Sequence, residues 1–108
     1  MKLSPEALKL LSAQHDRYFR SLPDKKARIA QCWKHIQHNG WSVERFGALK
    51  TEAHRLAGSA GSYGLPVLGS AALSLDQVLS GDGNLPTQSP RISELIADLM
   101  HAFDASMD

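Results

Sequence analysis

Apolar residues recur every three or four positions along almost the whole chain, and this period constrains the fold more than any other feature. It is the spacing of one face of an α-helix, and no segment alternates with period two over the length of a strand. Proline, glycine and serine interrupt the period at intervals, as helix caps and turns do. The sequence therefore predicts an all-α fold, in which short connections join antiparallel neighbours into an up-down four-helix bundle.

The bundle is predicted to carry an additional N-terminal helix. Ser4 followed by Pro5 is typical of a helix N-terminus, and Pro23 is expected to restart or kink the helix that begins there. We therefore predict an N-terminal helical segment over residues 4–22 and a bundle over residues 23–106, within a single domain of residues 1–108. The residues predicted to face the core are Leu8, Leu11, His15, Tyr18, Leu22, Ile29, Cys32, Trp33, Ile36, Phe46, Leu49, Ala53, Leu56, Ala60, Leu68, Ala72, Leu75, Leu79, Ile92, Leu95, Ile96, Leu99 and Phe103.

Local signals mark the ends of the helix in the middle of the chain. Ser42 is a good N-cap, and Trp41 and Phe46 flank it at the spacing of a hydrophobic staple. Gly64 is a suitable C-terminal cap. The sequence GDGNLPTQ at 81–88 predicts a loop before the last helix.

Composition excludes several classes of protein. The formal net charge of +1 gives no general attraction to nucleic acid or to an anionic membrane. No apolar run approaches the roughly 18 residues of a membrane span. A single cysteine, Cys32, excludes an intramolecular disulfide, as is usual in a reducing compartment. We expect a cytoplasmic protein that is complete from Met1, and we expect it to be a monomer.

One histidine lies on an unusually bare strip of helix. At about 100° per residue, His54 points roughly 130° away from the centre of the apolar stripe of its helix, and therefore toward solvent. Side chains are absent or small around it, although an interior glycine costs about 1 kcal/mol relative to alanine. This pattern suggests a face kept clear for a docking partner. The residues of this predicted docking face are Gly47, Thr51, Ala57, Gly58 and Gly61.

The segment HRLAGSAGSYGL resembles the histidine-containing phosphotransfer (HPt) domain of bacterial phosphorelays. That family's signature is a histidine with glycines four, seven and ten residues later and then an apolar residue, which His54, Gly58, Gly61, Gly64 and Leu65 match. The predicted bundle, with an extra N-terminal helix, is also the architecture of the family. The resemblance covers essentially the whole chain, although only this motif is specific.

The resemblance implies a phosphocarrier. His54 would accept a phosphoryl group from the aspartyl phosphate of one receiver domain and pass it to another, the partners being response regulators and a hybrid sensor histidine kinase. Imidazole has an unperturbed pKa of about 6.5, so it is mostly neutral and nucleophilic at pH 7. The sequence has no acidic cluster near His54 and no nucleotide-binding loop. We therefore expect no enzyme activity of its own and no bound cofactor or metal, with Mg²⁺ supplied by the receiver.

One residue departs from the family pattern. Members usually have lysine three residues after the histidine, where this chain has Ala57. Lys50 lies one helical turn before His54 on a neighbouring part of the face, and we predict that it stabilises the phosphoryl group instead.

Two other functions are compatible with the sequence. The bare face also suits a receiver-binding adaptor that is never phosphorylated, an interpretation that Ala57 slightly favours. Cys32, His35 and His38 are metal-ligand types at three-residue spacing. Such steps rotate by roughly 60° each around a helix, so the three side chains do not converge easily on one ion. Cys32 is better interpreted as a small core residue and the two histidines as surface residues.

Overall fold

The computed structural model describes residues 4–80 and 89–107, and over these ranges the chain is helical, without strands. The elements are α1 (Pro5–Asn39), α2 (Val43–Ser59), a 3-10 turn (Gly61–Tyr63), α3 (Pro66–Leu79) and α4 (Ser89–Met107). The all-α prediction is confirmed. The predicted loop at 81–88 lies outside the described residues.

The four helices contact one another in a ring, with α1 against α2 and α4, and α3 against α2 and α4. Contacts between α1 and α2 run in opposite directions along the two helices: Trp33 lies near Trp41 at one end, while Tyr18 reaches Ser59 at the other. The ring encloses one continuous apolar core. Helices α2 and α4 therefore lie diagonally opposite each other.

The predicted N-cap of α2 is present, but the predicted C-cap at Gly64 is wrong: α2 ends at Ser59 with Ala60 as its C-cap, because a 3-10 turn follows before Gly64. The Ser42 hydroxyl accepts a hydrogen bond from the Arg45 amide at 3.1 Å, which satisfies one of the free donors of the first turn. The Trp41 and Phe46 rings lie 6.1 Å apart between centroids, as a hydrophobic staple requires. Beyond α2 the 3-10 turn ends at Gly64, whose φ of 78° is left-handed and suits glycine.

The predicted restart of the helix at Pro23 is wrong, and with it the separate N-terminal helix over residues 4–22. Helix α1 continues through Pro23 for 35 residues. An interior proline costs about 3 kcal/mol because a backbone hydrogen bond is lost. Here Leu22, Ile29 and Ile36 stay in phase on both sides of it, and all are at most 3% exposed. Burying three large aliphatic side chains, at about 1.5–3 kcal/mol each, outweighs that local cost.

The predicted core positions at the start of α1 are also wrong. Leu8 is 54% exposed and Leu11 is 44% exposed, and His15 is exposed as well. At 1.5 Å per residue α1 is about 52 Å long, and the next longest helix is only about 28 Å. The first turns of α1 therefore extend past the helices that would cover them. Of the other predicted core residues, Cys32, Trp33 and Phe46 are partly buried and the rest are buried.

Candidate functional site

His54 lies on the outward face of α2, beyond the middle of that helix. Its side chain is 76% exposed, as its position relative to the apolar stripe predicts. The neighbouring residues Leu56 and Ala53 are buried and fix the rotation of the helix about its axis. The imidazole is thus exposed to solvent on a helix whose opposite side is buried in the core.

One ring nitrogen of His54 has a partner. Nδ1 lies 3.0 Å from Oδ2 of Asp76 on α3. The Asp76 side chain is only 11% exposed, and its other oxygen accepts from the Ser80 hydroxyl at 3.3 Å. A carboxylate only accepts hydrogen bonds, so a neutral His54 carries its proton on Nδ1 and donates it to Asp76. The lone pair of Nε2 is then free on the exposed ring.

Sequence analysis missed Asp76, which is 22 residues from His54. The sequence of α3 does contain a pattern that indicates a role for Asp76. Asp76 lies four residues after Ala72 and three before Leu79, and both are core residues, so an acidic side chain sits on the edge of an apolar stripe. A buried carboxylate requires a polar partner, which is a reason to look for a donor on the facing helix.

The glycines around His54 have unobstructed Cβ positions. A Cβ atom built at Gly47, Gly58 or Gly61 would meet no heavy atom within 4 Å outside its own local helix. Packing against another helix therefore does not explain the missing side chains at Gly47 and Gly58. At Gly61 the backbone is involved instead: a Cβ on Gly69 of α3 would lie 3.2 Å from the Gly61 amide nitrogen.

Gly69 is the second site residue that the sequence did not reveal. Its lack of a side chain lets α3 approach the 3-10 turn closely. A Cβ atom on Gly69 would lie about 0.2 Å closer to the Gly61 nitrogen than ordinary van der Waals contact allows. This close approach fixes α3 against the 3-10 turn, and the contact between His54 and Asp76 fixes α3 against α2. Together the two contacts set the position of α3 along the axis of α2 beside His54.

The remaining predicted site residues lie along the same helix. Thr51 is exposed, whereas Lys50 and Ala57 are partly buried, with Ala57 packed against the core. Within residues 4–80 and 89–107, the side chain of Lys50 makes no hydrogen bond and no salt bridge. Its ammonium group therefore has no carboxylate partner there, unlike Arg28, which lies 3.8 Å from Glu52.

Aromatic contacts hold the end of α2 that follows His54. The rings of Tyr18 and Tyr63 stack with centroids 4.1 Å apart, and the Tyr18 hydroxyl hydrogen-bonds the Ser59 hydroxyl at 2.8 Å. Burial raises the pKa of the Tyr18 hydroxyl, so it stays protonated and able to donate. This cluster joins α1 to the last turn of α2 and to the 3-10 turn that follows it.

The three residues considered for a metal site are Cys32, His35 and His38. Cys32 is partly buried, and burial raises the pKa of its thiol, which disfavours the thiolate that binds metals. Together with His35 it lines a cleft between α1 and α2, and His35 and His38 are both exposed. In the part of the chain that the structure describes, no three His, Cys, Asp or Glu side chains are grouped to hold a metal ion. No helix there has the length and apolar character to cross a membrane.

Comparison with known proteins gives one match. The family model described as "Hpt domain" matches residues 15–106, which is well over half of the chain and includes His54, Asp76 and the glycines between them. No curated protein and no solved structure gives a significant match.

Proposed function

The chain belongs to the Hpt domain family, whose members carry phosphoryl groups in phosphorelays, and we propose that His54 is its phosphoacceptor. It receives the group from the aspartyl phosphate of one receiver domain and passes it to the aspartate of another. The observation that supports this most is the His54 ring itself, 76% exposed and bound through Nδ1 to a nearly buried carboxylate. That arrangement leaves Nε2 as the nucleophile.

The proposed transfer needs no base. The Nε2 lone pair attacks phosphorus, the P–O bond of the acyl phosphate breaks, and the electron pair leaves with the receiver's carboxylate. The ring becomes a cationic phosphoimidazole because Nδ1 keeps its proton, and the Asp76 carboxylate stabilises that charge. In the next step a second receiver's carboxylate attacks phosphorus and His54 leaves as neutral imidazole. The carrier supplies a positioned nucleophile and no catalytic site of its own.

Charge on the transferring group must be neutralised by cations. We propose that the receiver brings Mg²⁺, since the carboxylate nearest to His54 is already bound to Nδ1. Lys50 is the candidate cation on this chain. The partners are receiver domains of a hybrid sensor histidine kinase and of response regulators. In this proposal the ring of helices is an up-down antiparallel bundle, and the carrier acts as a cytoplasmic monomer.

Incubation with a phosphorylated receiver tests the proposal. A panel of receiver domains is labelled with ³²P, and each is mixed with the protein in the presence of Mg²⁺. We expect label on this chain that is acid-labile and stable to base, as a phosphoramidate is. Binding to a receiver without any transfer of label would instead favour the receiver-binding adaptor.

Replacing Asp76 tests how the ring is held. Hydrogen bonds to charged groups contribute about 1.5–3 kcal/mol, so Asp76→Asn should slow phosphotransfer by about 10- to 100-fold. The ¹⁵N chemical shifts of His54 should move toward those of the tautomer with a proton on Nε2. Ser80→Ala is the control, because it removes only the 3.3 Å contact to Asp76 and leaves the carboxylate charged. A slower transfer with unchanged ¹⁵N shifts would contradict a role in fixing the tautomer.

Replacing Lys50 tests the charge that compensates for Ala57. A phosphoryl group carries about −1.5 to −2 charge at pH 7, so a nearby ammonium stabilises the phosphorylated form. Lys50→Ala should shorten the lifetime of the phosphohistidine or slow transfer several-fold, and Ala57→Lys should partly restore it in the double variant. Lys34→Ala, at an exposed position on α1, is the matched control. Unchanged rates in the Lys50 variant would leave it as a solvated surface residue.

A further inference from the structure

Leu73 is an exposed apolar residue that the folding of α3 does not explain. Its side chain is 46% exposed, although its neighbours Ala72 and Leu75 are fully buried in the core. It lies four residues after Gly69 and three before Asp76, so these three positions share one strip of the helix. That strip faces the groove between α2 and α3.

Two contacts place Leu73 beside the His54 face. Asp76 meets His54 at 3.0 Å, and the Cβ position of Gly69 meets the Gly61 amide at 3.2 Å. Leu73 lies between those two levels along α3, so it is level with the segment of α2 that follows His54. Three residues of helix separate it from Asp76, which is about 4.5 Å along the axis.

Resting on the proposed function, we infer that Leu73 is an apolar docking contact for the receiver domain that exchanges phosphate with His54. A specific interface covers about 800 Å² on each partner, equivalent to a disc of roughly 16 Å radius. Adjacent helix axes are about 8–10 Å apart, so a disc centred on His54 includes Leu73. The complementary surface is an apolar patch beside the receiver's phosphorylated aspartate.

The other large exposed apolar residues lie elsewhere on the molecule, which distinguishes Leu73 as a docking contact. Leu8, Leu10, Leu11 and Phe19 belong to α1, which borders α2 on the side away from α3 and Asp76. Val43 is the first residue of α2, and Met107 is the last residue of α4. Val67 is on α3 but lines the groove toward α4 with Leu95. Within residues 4–80 and 89–107, Leu73 is thus the large exposed aliphatic side chain on the α3 side of α2, the side on which His54 meets Asp76.

The test compares Leu73→Glu with Val67→Glu, two substitutions that add the same charge to exposed positions of α3. Each variant receives phosphate from a ³²P-labelled receiver and, separately, from ³²P-phosphoramidate. The small donor phosphorylates Nε2 as its own P–N bond breaks and ammonia leaves, and it needs no docking surface. Circular dichroism and thermal melts check that both variants are folded.

We expect Leu73→Glu to lower the rate of transfer from the receiver at least tenfold while phosphoramidate labels it at the wild-type rate. Val67→Glu should match wild type with both donors, and Leu73→Met should restore transfer. Wild-type transfer by Leu73→Glu, or equal losses in both glutamate variants, would overturn the docking contact while leaving His54 as phosphoacceptor. A wild-type protein labelled by neither donor would overturn the proposed function, and this inference with it.

Discussion

Gly58→Gln is expected to lower phosphotransfer by at least two orders of magnitude while leaving the fold and melting temperature close to wild type. A Cβ atom at Gly58 meets no heavy atom within 4 Å, so the longer side chain enters solvent without strain. It then occupies the space one helical turn from His54 into which a receiver's acidic site must descend. Displacing the reacting atoms by about 1 Å is already enough to cost about 100-fold in rate.

Gly58→Ala separates folding from docking. Alanine has the higher helix propensity and the position is open, so we expect the domain to be stabilised by up to about 1 kcal/mol. Ala97→Gln, on the exposed side of α4 and diagonally opposite α2, is the control for adding a glutamine. Thermal melts and phosphotransfer rates are measured for all three variants. A stable Gly58→Gln protein that accepts phosphate at the wild-type rate would refute the docking explanation for the glycine.

His54→Gln is expected to remove all transferable phosphate. Glutamine has no nucleophilic nitrogen, but its amide group can still donate to the Asp76 carboxylate. Glutamine is chosen over alanine because alanine would leave the Asp76 carboxylate without this donor, and an unsatisfied buried acceptor costs about 1–3 kcal/mol. The helical circular dichroism and the thermal transition should therefore stay near wild type.

The other histidines provide the controls for this variant. His15→Gln, His35→Gln, His38→Gln and His101→Gln alter exposed histidines, of which His15 packs edge-on against Tyr63, and all four variants should retain label. Label that persists in His54→Gln on any of them would contradict a single phosphoacceptor.

The features of α2 that depend on local sequence could be predicted. Its N-cap at Ser42, its staple and its helical period follow from interactions over a few residues, and the period alone places His54 toward solvent. The openness of Gly58 also follows, because a residue about 170° from the core stripe has no neighbouring helix to meet.

What sequence reasoning missed depends on contacts between distant segments. Asp76 and Gly69 acquire their roles only when α3 packs on α2 at one particular position along the helix axis. No local sequence pattern specifies that position. The local cost of Pro23 predicts a restart or a kink of the helix, whereas the burial of Leu22 and Ile29, which keeps α1 continuous, depends on tertiary contacts. Leu8 has the spacing of a core residue, but the other helices are too short to cover it.

The most direct test of the account is a chase between two receivers. One receiver is phosphorylated with ³²P and mixed with the protein, and a second, unlabelled receiver is then added while samples are taken over time. Passage through His54 predicts that label appears first on this chain as phosphohistidine and then on the second receiver, and that His54→Gln abolishes both. Label that reaches the second receiver equally fast with His54→Gln, or that never appears on the wild-type chain, would contradict it.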